Sequence, residues 1–195
     1  DGTVDSDAAT VTINITLVNE KPVATAQTVT ATEQTAKEIT LAGTDAEGAT
    51  LTYSIVDQPS NGTVSLDGNT ATYTSTSDTA TSDSFTFKVN DGTVDSDAAT
   101  VTINITGVND APTATAQTVE ATEDVAKTIT LAGTDPDGDT LTYIVASLPS
   151  DGTLTDNGTA ITSDDLPKTT SGTDVVYTAT SNTATSDSFT FKVND

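Results

Sequence analysis

Apolar and polar residues alternate along most of this chain. In residues 98–106 the apolar Val101, Ile103 and Ile105 are interleaved with Thr102, Asn104 and Thr106, which makes one face greasy and the other wet. A period of two belongs to a half-buried strand. Residues 84–90 read the same way: Phe85, Phe87 and Val89 face a core, and Thr86, Lys88 and Asn90 face solvent. The pattern predicts seven strands over one stretch of chain, near residues 26–30, 37–41, 50–56, 62–66, 70–74, 83–89 and 98–108. The turn signals AEG, SNG, LDGN and NDG punctuate them, and no segment has a helical period. Threonine, 46 of the 195 residues, is β-branched and suits the exposed side of such strands.

The pattern itself recurs. Residues 1–16, DGTVDSDAATVTINIT, return unchanged at 91–106, and TATSDSFTFKVND at 79–91 returns at 183–195. Asp1, Asp91 and Asp195 are therefore equivalent positions, and the unit of organisation is the repeat. The first spacing is 90 residues and the second 104; the extra 14 fall between Gly152 and Tyr177, as a surface loop or added hairpin allows. The expected division is 1–18 as the closing strand of a preceding repeat and 19–109 as a complete repeat. Residues 110–195 are then a repeat that lacks its closing strand and carries the insertion. Short strands with frequent turns predict an all-β fold of tandem antiparallel sandwiches of immunoglobulin-like type. Tyr53, Tyr73, Phe85 and Phe87 would centre one core, and Tyr143, Tyr177, Phe189 and Phe191 the other. A strand pattern at each end without its partner suggests two situations: a window on a longer array, or copies that complete each other head to tail by strand addition.

Charge narrows the partners. Six lysines, no arginine and 29 acidic residues give a net charge of −23, so nucleic acid and anionic membrane would be repelled, and cations are the natural partners. Without His, Cys, Arg or Trp, the usual general base, thiol nucleophile and anion clamp are missing, and the chain is not expected to be an enzyme. Carboxylate pairs can cleave glycosides, but the acidic clusters here fall in turns. Disulfides are impossible, and no apolar run approaches the roughly 20 residues of a membrane span.

The acids gather in loops. In TDPDGDT (134–140), Asp135, Asp137 and Asp139 alternate and Gly138 permits a tight turn. Three carboxylates so placed can curl around calcium, which takes six to eight oxygens; the same letters also spell a solvated Asp-Pro-Asp-Gly turn. If strands run alternately up and down, the entry linker VNDAP (108–112), with Asn109 and Asp110, lies at that same pole, and Glu33 of ATEQT faces it. The first repeat has TDAEGAT with Asp45 and Glu47 but Ala49 in place of the third acid. Its linker VNEKP puts Lys21 where a cation would sit. Asp91, Asp95 and Asp97 of the NDGTVDSD loop point toward the same end.

VNDAP, the Thr-Glu-Asp at 122–124, TDPDGDTLTY, DSFTFKVNDG and ATVTINIT together resemble the cadherin-like, immunoglobulin-like repeats of giant bacterial surface proteins, notably RTX-type adhesins. The resemblance covers essentially the whole chain. It implies a secreted array on the bacterial cell surface whose copies form a stalk or fibre, with calcium stiffening the junctions. Carried over by position, the metal ligands would be Glu33, Asn109, Asp110, Asp135, Asp137 and Asp139. Partners would be neighbouring repeats or other copies head to tail. The rival reading is a carbohydrate- or ice-binding adhesion module whose specificity lies in the insertion around 162–173, with Asp164 and Asp165.

Overall fold

The computed structural model describes residues 2–195. In the first repeat the chain forms β1 (Val23–Ala24), β2 (Gln27–Thr32), β3 (Lys37–Thr40), β4 (Gly43–Thr44), β5 (Thr52–Asp57), β6 (Gly62–Asp67), β7 (Thr70–Ser75), β8 (Ser82–Asn90) and β9 (Ala99–Thr106). The strands lie in a four-stranded sheet ordered β2-β9-β8-β5, a three-stranded sheet ordered β3-β7-β6, and the short pair β1-β4. All seven strands expected from alternation are present. The two-residue strands β1 and β4 are too short to show a period.

Burial follows the pattern residue by residue. Along β9 every second residue is buried, and along β8 Asp83, Phe85, Phe87 and Val89 turn inward. Phe85 stands opposite Val101, and Phe87 opposite Ala99 on one side and Ile55 on the other. Tyr53 stacks on Phe87 with ring centroids 6.5 Å apart. Leu41, Ile39 and Tyr73 close the same core from the facing sheet, as in an aligned sandwich. Lys88 is half exposed and pairs with Asp95.

One inward residue is charged. The Asp83 carboxylate accepts hydrogen bonds from the backbone N–H of Ser60 (3.0 Å), Asn61 (2.9 Å) and Ser84 (2.8 Å), and from the Tyr73 hydroxyl (3.0 Å). These four donors make its burial tolerable. Gly62 passes under the Tyr73 ring so closely that a Cβ would lie 2.6 Å from it and 2.5 Å from the Thr74 carbonyl. Asp187, Tyr177 and Gly152 repeat the arrangement, with Asp187 accepting from Ser150, Asp151, Ser188 and the Tyr177 hydroxyl. Burial, the largest influence on the Asp187 carboxyl, works to raise its pKa; the hydrogen bonds together outweigh it and hold the group below its ordinary value. Burial and the negative Asp187 push the Tyr177 hydroxyl up.

The second repeat forms β10 (Thr113–Ala114), β11 (Lys127–Thr130), β12 (Gly133–Thr134), β13 (Thr142–Ser147), β14 (Gly152–Asp156), β15 (Thr159–Ala160), β16 (Lys168–Thr169), β17 (Asp174–Ala179) and β18 (Thr190–Asn194). Its sheets are ordered β11-β17-β14-β15 and β16-β13-β18, with the pair β10-β12. The insertion adds an edge strand to each sheet: β15 beside β14, and β16 beside β13. Between them lies a three-residue 3-10 turn at Ser163–Asp165, the one departure from the helix-free expectation among the described residues. Two strands of the first repeat have weaker counterparts here. Residues 117–122, equivalent to β2, form no strand, and β18 starts four positions later than β8 does.

Residues 2–18 carry a strand pattern and form no strand. Val11, Ile13 and Ile15 are 82%, 79% and 80% exposed, whereas the identically placed Val101, Ile103 and Ile105 are 0%, 0% and 7% exposed. The contacts divide the chain into two compact units. One comprises the chain up to Ala31 with Ala36–Thr74 and Ser82–Asn104; the other comprises Thr32–Thr35, Ser75–Thr81 and Ile105–Asp195. No helix among the described residues is long and apolar enough to cross a membrane.

Candidate functional site

The acid-rich pole of the second unit is assembled from three short pieces of backbone. The DPDGD loop closes on itself, because Asp135 Oδ1 accepts the N–H of Asp137 (2.9 Å) and Asp139 (3.1 Å) and the Asp135 carbonyl accepts that of Gly138 (3.3 Å). Gly138 has φ +80°, a backbone region that costs a glycine little. The linker then docks on the loop: the Asp110 N–H donates to Asp137 Oδ2 at 2.7 Å.

The third piece is the Thr32–Thr35 turn. Glu33 is 2% exposed; its N–H donates to the Thr106 carbonyl at 3.0 Å, and its Oε1 accepts the N–H of Val108. Gly107 lies directly beside this carboxylate. Gln34, at φ +53°, donates from Nε2 to Asp78 Oδ1 and Asp110 Oδ2, both at 3.0 Å. Glu33, Asp110, Asp135 and Asp137 thus sit in one continuous hydrogen-bonded chain through the linker.

The two remaining residues expected as ligands are held differently. Asn109 is exposed and donates its amide to Asp195 Oδ2 at 2.6 Å, a bond that holds the Asp195 carboxyl below its ordinary pKa. Asp139 is exposed and joins the loop through its backbone N–H. Gln34, Asp78 and Asp195 were not anticipated as members of this pole. Asp195 carried a signal, since it is equivalent by repeat to Asp91; Gln34 and Asp78 carried none.

Whether a cation suits these residues is decided by the oxygens left over. Glu33 Oε2 and Asp135 Oδ2 are both buried and have no hydrogen-bond partner. A buried carboxylate oxygen with no donor is costly unless positive charge meets it. Hard oxygen donors of this kind are what calcium takes, so the residues present fit the ion. No three acids among the described residues already converge on a single point.

The first unit repeats the backbone part of the design. Asn19 donates to Asp91 Oδ2 at 2.8 Å, and the Glu20 N–H donates to Glu47 Oε2 at 3.1 Å. Asp45 Oδ1 accepts from the N–H of Glu47 and Ala49, leaving Asp45 Oδ2 buried and unpartnered as at Asp135. Lys21 reaches Asp97 at 2.6 Å. Backbone N–H groups in the Asp91 turn, that of Val94 foremost, together with the Asn19 amide, hold the Asp91 carboxyl below its ordinary value.

The insertion uses its acids locally. Asp165 Oδ2 accepts from both the N–H and hydroxyl of Thr162 at 2.7 Å, which closes the 3-10 turn and lowers the Asp165 pKa. Asp156, at the end of β14, is buried and is held by Ser171 through its N–H and hydroxyl.

The structure is similar to the protocadherin γB4 extracellular domain, at 15% identity and TM-score 0.47 over 90% of this chain and 32% of that one. It is also similar to the human desmocollin-1 ectodomain, at 14% identity and TM-score 0.40 over 82% of this chain and 34% of that one. A third is surface layer protein SbsC domains 4–9, at 13% identity and TM-score 0.31 over 90% of this chain and 29% of that one. The chain therefore spans about a third of the length of these structures. No curated protein matches it. The family model for the bacterial Ig domain matches twice, over residues 19–104 and 109–195, and with both repeats accounted for the chain belongs to the bacterial Ig domain family.

Proposed function

We propose that this chain is a spacer and scaffold segment of a secreted bacterial surface adhesin or fibre of the RTX type, stiffened by calcium at its linkers. The observation that carries the reading is the pair of buried, unpartnered carboxylate oxygens, Glu33 Oε2 and Asp135 Oδ2, on the hydrogen-bonded chain that includes the 108–110 linker. Glu33, Asp110, Asp135 and Asp137 would hold the ion, with Asn109 and Asp139 completing the set. The ion would supply positive charge where the fold buries negative charge, tying the linker to the DPDGD loop. A net charge of −23 favours its capture. Copies joined end to end by strand exchange belong to the same reading.

Calcium titration followed by calorimetry and small-angle scattering tests it. Calcium at a hundredfold excess over its dissociation constant stabilises the bound form by about 2.7 kcal/mol, so the melting temperature rises and a chelator reverses the rise. Glu33→Gln should reduce the response most, since it removes the charge from the more deeply buried of the two side chains. An unchanged melting temperature and unchanged maximum dimension on adding chelator would sink the calcium reading.

A further inference from the structure

Two asparagines of this chain precede a glycine, and both do so in the same triplet: Asn61-Gly62-Thr63 and Asn157-Gly158-Thr159. Glycine has no Cβ to hold its backbone nitrogen away from the preceding side chain. In both triplets that nitrogen can therefore attack the asparagine amide carbon, Cγ, and the intrinsic chemistry is the same. The fold treats the two oppositely.

Asn61 is locked. Its N–H donates to Asp83 Oδ2 at 2.9 Å, and its side-chain amide donates to the Ser82 carbonyl at 3.3 Å. Gly62 begins β6 and lies so close beneath Tyr73 that a Cβ would be 2.6 Å from the ring. Nucleophile and electrophile can meet there only by breaking both bonds and lifting the backbone off a fully buried side chain.

Asn157 and Gly158 form the tip of the hairpin between β14 and β15, with φ of +46° and +79°, the pair of left-handed residues that a tight primed turn requires. Both are exposed, and no atom lies within 4 Å of where a Gly158 Cβ would stand. β15 has two residues, both exposed, paired as Thr155–Ala160 and Asp156–Thr159. Opening so short and wet a hairpin end lies at the low end of local unfolding free energies.

We propose that Asn157 is a site of spontaneous deamidation and that the fold shields Asn61 from the same reaction. The Gly158 nitrogen gives up its proton and bonds to Asn157 Cγ, and the side-chain nitrogen leaves as ammonia, which closes a succinimide ring. Water then opens the ring at either carbonyl, giving aspartate or isoaspartate; nothing is oxidised or reduced. Either product places a new negative charge next to the buried Asp156. Isoaspartate also runs the backbone through the side-chain methylene and lengthens a loop whose length fixes the hairpin register. The β15 pairing and the adjoining bond from the Ile161 N–H to the Leu154 carbonyl, 2.9 Å, are what that product loosens.

The test holds the whole chain at mildly alkaline pH, digests samples taken over time, and reads the peptides by chromatography and mass spectrometry. The Asn157 peptide should convert from amide to acid as two separable products, at least about tenfold faster than the Asn61 peptide. In denaturant the two peptides should convert at similar rates. Aged chain should show faster amide exchange at 159–161 than fresh chain, and Asn157→Gln should abolish both the conversion and this change. Equal conversion of the two sites in the folded chain, or faster conversion of Asn61, overturns the proposal. So does an Asn157 that stays intact in the folded chain while denatured chain converts. A difference that persists in denaturant overturns the shielding, because sequence and not fold then sets it. Unchanged exchange at 159–161 in converted chain overturns the loosening of β15.

Discussion

Replacing Asp83 with alanine should destabilise the first repeat far more than an average polar substitution. The side chain accepts four hydrogen bonds, three from backbone N–H groups and one from the Tyr73 hydroxyl. In the alanine variant the N–H groups of Ser60, Asn61 and Ser84 lie near the surface and turn to water, at a net loss of about 1 kcal/mol for each of the two loop amides. Tyr73 is fully buried, and loss of the hydrogen bond from its hydroxyl to a charged acceptor costs about 2 kcal/mol more. The sum is about 4 kcal/mol, close to a thousandfold in the unfolding equilibrium. Asp187→Ala is the internal comparison. Its carboxylate is half exposed and Tyr177 retains some access to solvent, so the expected loss is about 2 kcal/mol. Hydrogen exchange read by mass spectrometry on peptides from each repeat reports the two positions separately and is the suitable assay. Tyr73→Phe, alone and in the Asp83→Ala background, completes a double-mutant cycle and isolates the coupling between the hydroxyl and the carboxylate. A loss below about 1 kcal/mol for Asp83→Ala, or equal losses at the two positions, refutes the reasoning.

Gly62→Ala forces a Cβ to within 2.6 Å of the Tyr73 ring and 2.5 Å of the Thr74 carbonyl and should cost about 2 kcal/mol by overpacking; Gly172→Ala meets no atom within 4 Å and should melt with the parent chain. Acid stability follows from the carboxylates. Asp91, Asp95, Asp187 and Asp195 all have pKa values lowered in the folded state, so the stability they contribute is full above the unfolded value of about 3.9 and is lost as pH falls through their folded values. With no histidine in the chain, melting temperature should be flat from neutral pH down to mildly acidic pH and then drop steeply. A midpoint for that drop near pH 6 would contradict this assignment.

Most of the fold was legible because its determinants are local. Alternation gave the seven strands of the first repeat to within a few residues, since side-chain direction in a strand has period two whatever the strand pairs with. The acids of the DPDGD loop were legible for the same reason: the loop binds to itself through Asp135, within five residues. Glu33 could be placed only through topology, Asp195 only through its repeat equivalence to Asp91, and Gln34 and Asp78 not even so, because their bonds join residues far apart in sequence. Asp83 is in phase with Phe85 and Phe87, so alternation turns it inward; the Tyr73 hydroxyl and loop amides that make a buried carboxylate tolerable there come from residues the strand pattern does not reveal.

The repeated sixteen residues show where sequence stops. By itself the sequence determined that residues 8–16 and 98–106 have the same strand pattern, with the same apolar face. The tertiary structure alone decided that Val101, Ile103 and Ile105 are buried and Val11, Ile13 and Ile15 exposed. A strand's pattern is a property of its own residues, whereas its backbone partners and the core it covers come from neighbours that only the fold brings alongside.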